Sequence, residues 1–145
     1  MTITIYGELY SSKNSKRIVW NPKTKKPFLT KSVKALSSEK DLQVQLQANR
    51  AKWLKMVGEN PSYPIAVLFK IYRRTHGRFD YCNVTMLLHD MMVKCDYMPD
   101  DSAKYFIPVF APYEVDKQSP RVEMRIINPF VYRDYVVGEN PSQPF

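Results

Sequence analysis

The sequence contains few cysteines and histidines, and this scarcity excludes two classes of protein. Cys82 and Cys95 can form at most one disulfide bridge, and neither a CxxC motif nor a Cys/His cluster accompanies His76 and His89. A disulfide-rich secreted scaffold needs more cysteines, and a structural zinc site needs a cluster of ligands. We therefore expect neither, and a reducing cytoplasm is the expected compartment.

Long apolar runs are absent as well. The longest uninterrupted run covers residues 63–69 and contains a proline, whereas a membrane-spanning helix needs about 20 apolar residues. Residues 1–10 have neither the basic start nor the long apolar core of a signal peptide. The sequence therefore predicts a soluble, cytoplasmic protein with no membrane partner.

The length and composition are those of an ordinary small domain. The chain has 145 residues, of which 44% are hydrophobic and 25% charged. This length allows one hydrophobic core and leaves no room for a second domain. We expect a single domain over residues 1–145, in which residues 128–145 form an irregular C-terminal tail.

Positive charge is concentrated in the first third of the chain. Residues 1–55 hold 12 Lys and Arg against 3 Asp and Glu, whereas residues 56–145 hold 10 against 11, and five of those 11 acids lie in residues 80–101. A basic region attracts nucleic acid or anionic membranes, and a local group of acids suits a hard divalent cation. This distribution is typical of an enzyme that binds nucleic acid with a cation, but a merely soluble basic surface has the same composition.

Hydrophobic periodicity predicts an α+β fold. The turn residues 21–24 predict a hairpin that carries lysines, and Ser38 predicts the start of a first helix. We expect a small mixed sheet of about five strands with two helices packed on it. The predicted strands are residues 2–10, 17–20, 27–31, 64–72, 104–110 and 121–127, and the predicted helices are residues 39–57 and a segment from residue 83 to a stop at residues 97–101.

Acidic residues flank the second predicted helix. Asp80 lies at its entrance, and Asp100 and Asp101 lie beyond its far end. If the chain folds back so that these carboxylates meet, their repulsion requires a divalent cation, and oxygen ligands suit Mg²⁺ or Mn²⁺. Such an ion polarises a phosphodiester and generates hydroxide from water. Taken singly, Asp80 is better explained as a helix cap, and Asp100 and Asp101 as turn residues.

The segment that carries these acids, residues 80–101 (DYCNVTMLLHDMMVKCDYMPDD), resembles the signature of the RusA-type Holliday-junction resolvases. These are small endodeoxyribonucleases typical of phages and prophages. Their signature is D-x-D-N, a lysine three residues after the asparagine, a helix and a D-D pair. The residues that fall on it without a gap are Asp80, Asn83, Asp90, Asp100 and Asp101.

The resemblance implies a homodimer that cleaves branched DNA with Mg²⁺ or Mn²⁺ as cofactor. It implies Asp80 and Asp101 as metal ligands and catalytic acids, with Asp100 as a neighbouring catalytic residue. Twofold symmetry of the dimer would match that of a four-way junction and allow paired cuts. Residues 13–18 (KNSKRI), followed by a basic hairpin, also resemble the start of the family.

Basic residues near these acids are candidate ligands of the DNA backbone, because arginine and lysine contact phosphates. Ordinary solvated charge is the alternative explanation. The candidates are Lys13, Lys16, Arg17, Arg73, Arg74, Arg78 and Lys104.

Two positions differ from the signature and leave a second function open. Cys82 stands where the second aspartate is expected, and Met86 stands where the lysine is expected. A thiol is a poor ligand for Mg²⁺, and loss of the lysine removes a cation that stabilises charge on the phosphate. The alternatives are a catalytically impaired protein that binds branched DNA without cleaving it, and a basic interaction protein of unrelated function.

Overall fold

The computed structural model describes residues 1–11 and 16–127, which form two helices and two β-sheets. This confirms the α+β prediction. Lys13 and the predicted tail 128–145 lie outside the described residues. The strands are β1 (Ile3–Tyr6), β2 (Lys16–Asn21), β3 (Lys26–Lys31), β4 (Ile65–Arg73), β5 (Phe106–Phe110), β6 (Glu114–Val115) and β7 (Arg121–Ile127), and the helices are α1 (Val33–Val57) and α2 (Tyr81–Lys94).

The main sheet is mixed and has β4 near its centre. Its strand order is β1-β7-β4-β5, and the short β6 pairs with the far end of β4. β4 runs antiparallel to β7 and parallel to β5, with Phe69 opposite Phe110. Parallel strands need a crossover connection, which α2 supplies here. Pro108 lies on β5, an edge strand, where the N–H that proline lacks is not needed by a neighbour.

The core lies between this sheet and the two helices. β4 is the apolar run predicted as the central strand, and its alternate residues Ile65, Val67, Phe69 and Ile71 are all buried. α1 and α2 contribute further buried side chains to the same cluster. Those side chains are Leu42, Leu46 and Trp53 from α1, and Val84, Leu88, Met91 and Met92 from α2.

The first helix begins earlier than the sequence indicates. Its N-cap is Ser32, whose hydroxyl oxygen accepts a hydrogen bond from the Ala35 N–H at 3.1 Å. The prediction that the helix starts after Ser38 was therefore wrong. Ser32, which directly follows β3, is the N-cap residue, six positions earlier. The helix ends as expected at Gly58, whose φ of 81° suits glycine. Among the described residues, no helix combines the length and apolar character needed to cross a bilayer.

Two aromatic side chains join α1 to the segment that follows α2. The rings of Trp53 and Tyr97 stack with centroids 5.0 Å apart. The indole N–H of Trp53 donates to the Tyr97 carbonyl at 2.6 Å, and the Tyr97 hydroxyl donates to the Leu46 carbonyl, also at 2.6 Å. Each of these buried donors has a backbone carbonyl as its acceptor, which is the condition for keeping polar atoms inside a core. The end of α2 is thereby fixed against α1.

We predict that Tyr97→Phe lowers the free energy of unfolding by about 1 kcal/mol, because it removes one buried hydrogen bond. Urea denaturation of both proteins measures this difference. The matched control is Tyr63→Phe, since Tyr63 is 39% exposed. Equal stability of the Tyr97 variant and the wild type would contradict the proposed link.

Candidate functional site

Asp80 occupies the N-cap position of α2 but does not cap it through its side chain. Its backbone is extended (φ −110°, ψ 132°), and its carboxylate accepts no hydrogen bond from the first helical N–H groups. Instead the carboxylate accepts one from the side-chain amide of Asn83, at 3.0 Å. The carboxylate is exposed to solvent. The explanation of Asp80 as a side-chain helix cap therefore does not hold, and the group is available to a ligand.

Aromatic packing holds the segment that presents Asp80. The ring of Phe79 makes edge contacts with Tyr81 and Tyr113, at 5.3 Å and 4.9 Å between centroids. The Tyr81 hydroxyl accepts a hydrogen bond from the Tyr113 N–H at 3.0 Å. Asp80 lies between two anchored aromatic residues, so its backbone position is fixed.

The arginines predicted to bind DNA divide into buried and exposed members. The Arg73 side chain is only 12% exposed: Nε lies 3.4 Å from a Glu8 carboxylate oxygen, and Nη1 donates to the Leu9 carbonyl at 2.8 Å. Arg74 contacts the other Glu8 oxygen at 3.4 Å but is 55% exposed, and Arg78 is exposed. Arg74 and Arg78 can therefore meet a phosphate, whereas Arg73 is committed to the N-terminal segment.

A groove runs past these residues. One cleft of about 420 Å³ is lined by Arg78, Asp80, Asn83 and residues 9–11. A second, of about 320 Å³, lies toward α1 and is lined by Lys34, Arg74 and the same residues 9–11. Because the two clefts share a wall, we describe them together as the Asp80 groove. Its lining carries three acidic residues, Glu8, Asp41 and Asp80, beside several cations.

Asp100 and Asp101 lie in the turn before β5, and their surroundings differ. The Asp100 carboxylate accepts hydrogen bonds from Ser102, which lower its pKa; this agrees with a turn residue. Asp101 lies beside the second half of α2, close enough to influence His89 and Asp90. Burial lowers the pKa of His89 to about 4, with Asp101 acting in the opposite direction. Burial also raises the pKa of Asp90, and Asp101 adds to this.

The structure does not bring Asp80 and Asp101 together within one chain. α2 rises about 1.5 Å per residue, so Asp80 and Asp90 are about 15 Å apart along its axis, and Asp101 lies at the Asp90 end. Within residues 1–11 and 16–127, no three His, Cys, Asp or Glu side chains are grouped closely enough to share a metal ion. A shared metal site within a single chain would require a different position of the Asp101 turn.

The remaining predicted residues take separate positions. Lys104 is exposed in the same turn, with Nζ 5.2 Å from the Tyr105 ring. Arg17 is exposed on β2, where Lys16 begins the strand. Cys82 is exposed near the start of α2, and Met86 is 38% exposed one turn further on. The two departures from the family signature thus lie on the accessible part of the helix.

No family model matches this chain, and no curated protein matches it in sequence. The RusA-type resemblance therefore stays a prediction that depends on residues 80–101.

Sequence reasoning missed two residues that shape the groove. Glu8 pairs with two arginines about 65 positions away, and Tyr113 packs on the segment before α2 from beyond β5. Neither residue lies in a motif, and both act through contacts between distant parts of the chain. The one signal for Glu8 in the sequence is that it is the single acidic residue among residues 1–38, a basic region.

We predict that Arg73→Gln destabilises the protein by about 2 kcal/mol, because it removes the less exposed of the two arginines that pair with the nearly buried Glu8 carboxylate, together with the hydrogen bond to the Leu9 carbonyl. Denaturant unfolding provides the measurement. Arg78→Gln is the matched control: Arg78 is exposed, so its loss should leave stability within about 0.5 kcal/mol of the wild type. Equal effects of the two substitutions would contradict the structural role of Arg73.

We also predict a loss of stability in mild acid that arises from His89. Its folded-state pKa of about 4 lies below the ordinary 6.5, so the unfolded chain binds a proton more readily. The contribution is present above pH 6.5 and is lost as pH falls toward 4, by about 2 kcal/mol between pH 7 and pH 4.5. His89→Phe should flatten the dependence of the unfolding free energy on pH over this interval. An unchanged acid profile in the His89 variant would refute the assignment.

Proposed function

We propose that this protein is a metal-dependent endodeoxyribonuclease that resolves branched DNA, such as Holliday junctions, by phosphodiester hydrolysis. The observation that carries the proposal is the Asp80 carboxylate. It is exposed, it makes no capping hydrogen bond to the backbone of α2, and it lines the groove that also holds Arg74 and Arg78. A carboxylate beside exposed guanidinium groups suits a phosphodiester held next to a cation.

Each of these residues has a role in the proposed reaction. Asp80 would hold Mg²⁺ or Mn²⁺ through a carboxylate oxygen, with Asn83 orienting it by the 3.0 Å hydrogen bond. The ion, when bound, supplies Lewis-acid activation of the phosphate and a water of lowered pKa. Arg74 and Arg78 would bind the phosphates on either side of the scissile bond. Both arginines are exposed; Arg78 can contact a phosphate directly, and Arg74 would do so while also paired with Glu8 at 3.4 Å.

The separation of Asp80 from Asp101 favours a site shared between two copies of the chain. Mg²⁺ binds oxygen at about 2.1 Å, so one ion at Asp80 cannot reach a carboxylate at the Asp90 end of α2, about 15 Å away along the helix axis, where Asp101 lies. In the proposed homodimer, Asp101 of one copy would complete the metal site that Asp80 of the other begins. The two sites would then be related by the twofold axis, as paired cleavage of a four-way junction requires.

We expect the purified protein to nick synthetic four-way junctions in Mg²⁺ or Mn²⁺, and Asp80→Asn to reduce the rate at least 100-fold because it removes the ligand charge. Gel analysis of labelled junctions measures this. Asp96→Asn is the matched control, since it removes the same charge from the same segment at an exposed position whose φ of 59° suits asparagine. Absence of cleavage by the wild type in either metal would count against the nuclease.

Mixing two inactive variants tests the shared site. Asp80→Asn and Asp101→Asn, unfolded together and refolded, would yield mixed dimers with one intact site each. Nicking should recover to about one quarter of the wild-type rate, because about half of the dimers are mixed and half of their sites are intact. No recovery, with dimers confirmed by sedimentation, would show that each site is built within one chain.

The second candidate function is binding of branched DNA without cleavage. It is favoured by Cys82 and Met86, which are accessible on α2 at the positions of a metal ligand and a cation in the family signature. Salt-sensitive junction binding with no cleavage, even by Cys82→Asp, would identify this function. Binding with no preference for junctions would instead indicate a basic interaction protein.

A further inference from the structure

Strands β2 and β3 form a two-stranded ribbon apart from the main sheet. Their register pairs Ile18 with Leu29 and Trp20 with Pro27. Directly opposite residues of an antiparallel pair project from the same face, and residues two apart share that face. These four side chains therefore form one apolar surface, which we call the ribbon face.

The ribbon face is open to solvent. Ile18 is 73% exposed, Leu29 67% and Trp20 60%, whereas Trp53, the second tryptophan of the chain, is completely buried. Exposing a group of large apolar side chains is costly, and such patches usually mark interaction sites. A two-stranded ribbon is also only marginally stable alone in water. A partner that covers this face would remove its apolar side chains from water and would stabilise the ribbon.

The ribbon is attached to the body at its base and shaped at its tip. Lys31 forms a 2.6 Å ion pair with Glu39 of α1, and Ser32 joins β3 directly to that helix. At the tip, the Asn21 side-chain oxygen accepts hydrogen bonds from the N–H groups of Lys23 and Thr24. The ribbon thus has a defined turn at its tip and is attached to the rest of the domain at its base.

Charge indicates which partner fits. Between Glu8 and Glu39 the sequence has eight Lys and Arg and no Asp or Glu. Two ribbons of this kind packed against each other would place like charges together, which opposes a dimer formed through this face. A partner must therefore carry negative charge, to match the lysines and arginines, and flat apolar surfaces, to cover the ribbon face. Nucleic acid combines phosphate charge with base faces that stack on aromatic side chains.

We propose that the ribbon face is a DNA wedge: Trp20, flanked by Ile18 and Leu29, stacks on bases exposed at the branch point, while Lys23, Lys25 and Lys26 at the tip bind the adjacent phosphates. This proposal rests on branched DNA being the ligand proposed above, with or without cleavage. A two-stranded ribbon fits the major groove, and apolar wedges enter stacks where base steps open. A branch point offers base faces that need little unstacking.

The test compares binding to a four-way junction with binding to a linear duplex of the same sequence, without metal so that no cleavage occurs. Trp20→Ala should weaken junction binding about 10-fold, in the range of one lost base–aromatic stack, and duplex binding less than 3-fold. Trp20→Phe should retain most of the junction affinity. Leu54→Ala is the matched control, because Leu54 is an apolar residue, 45% exposed, on α1.

Fluorescence provides a second measurement on the unmodified protein. Trp20 is exposed and Trp53 is buried, so acrylamide quenching reports mainly on Trp20. Junction DNA should protect this emission, and a linear duplex should protect it less. The double substitution Lys25→Gln and Lys26→Gln removes two positive charges. It should weaken binding to the junction and to the duplex equally and lower the salt dependence of both affinities, because phosphate contacts do not distinguish branched from linear DNA.

Several results would overturn the wedge. Equal loss of junction and duplex affinity in Trp20→Ala would do so, as would unchanged quenching on junction binding. Sedimentation showing a wild-type dimer that Trp20→Ala dissociates would assign the ribbon face to a second copy of the chain. These outcomes differ from failure of the proposed function, in which the wild type itself shows no junction preference.

Discussion

The parallel pairing of β4 with β5 is the constraint on which the arrangement of the site depends. Because both strands run in the same direction, α2 must return along the sheet between them. Asp80 therefore lies at the end of the sheet where β4 finishes, and the turn with Asp100 and Asp101 lies near the opposite end, where β5 starts. This topology separates carboxylates that the sequence places on either side of one short helix, and it is the reason for proposing a site shared between two chains.

A second constraint comes from the nearly buried Glu8 carboxylate. It lies between Arg73 and Arg74 and joins the segment after β1 to the end of β4. Removing charges from water is costly unless they are paired, so this contact fixes one wall of the Asp80 groove. It also holds the Arg73 side chain away from a ligand, whereas Arg74, which pairs with Glu8 but is 55% exposed, and the exposed Arg78 remain accessible.

The basic N-terminal region contributes to two different parts of the fold. Part of it lies in α1, where Lys34 lines the Asp80 groove, and part lies in the ribbon, whose sequence has Lys23, Lys25 and Lys26 shortly after the exposed Trp20. In the proposed function, the groove would contact the phosphates and the bond that reacts, and the ribbon would contact the faces of the bases. Within that proposed function, this separation would allow binding to a branch point even where the residues at α2 are unfavourable for catalysis.

The sequence alone determined the α+β class, both helices, the apolar central strand and the lysine-bearing hairpin, because these follow from local periodicity and turn residues. It also marked Asp80 and Asp101 as candidate acids, but their separation depends on strand direction, which local patterns do not encode. The cap at Ser32 was missed because several serines precede the apolar period of α1. The burial of Arg73, the pairing of Glu8 and the exposure of Trp20 were decided by tertiary structure, since each depends on which distant segments pack together.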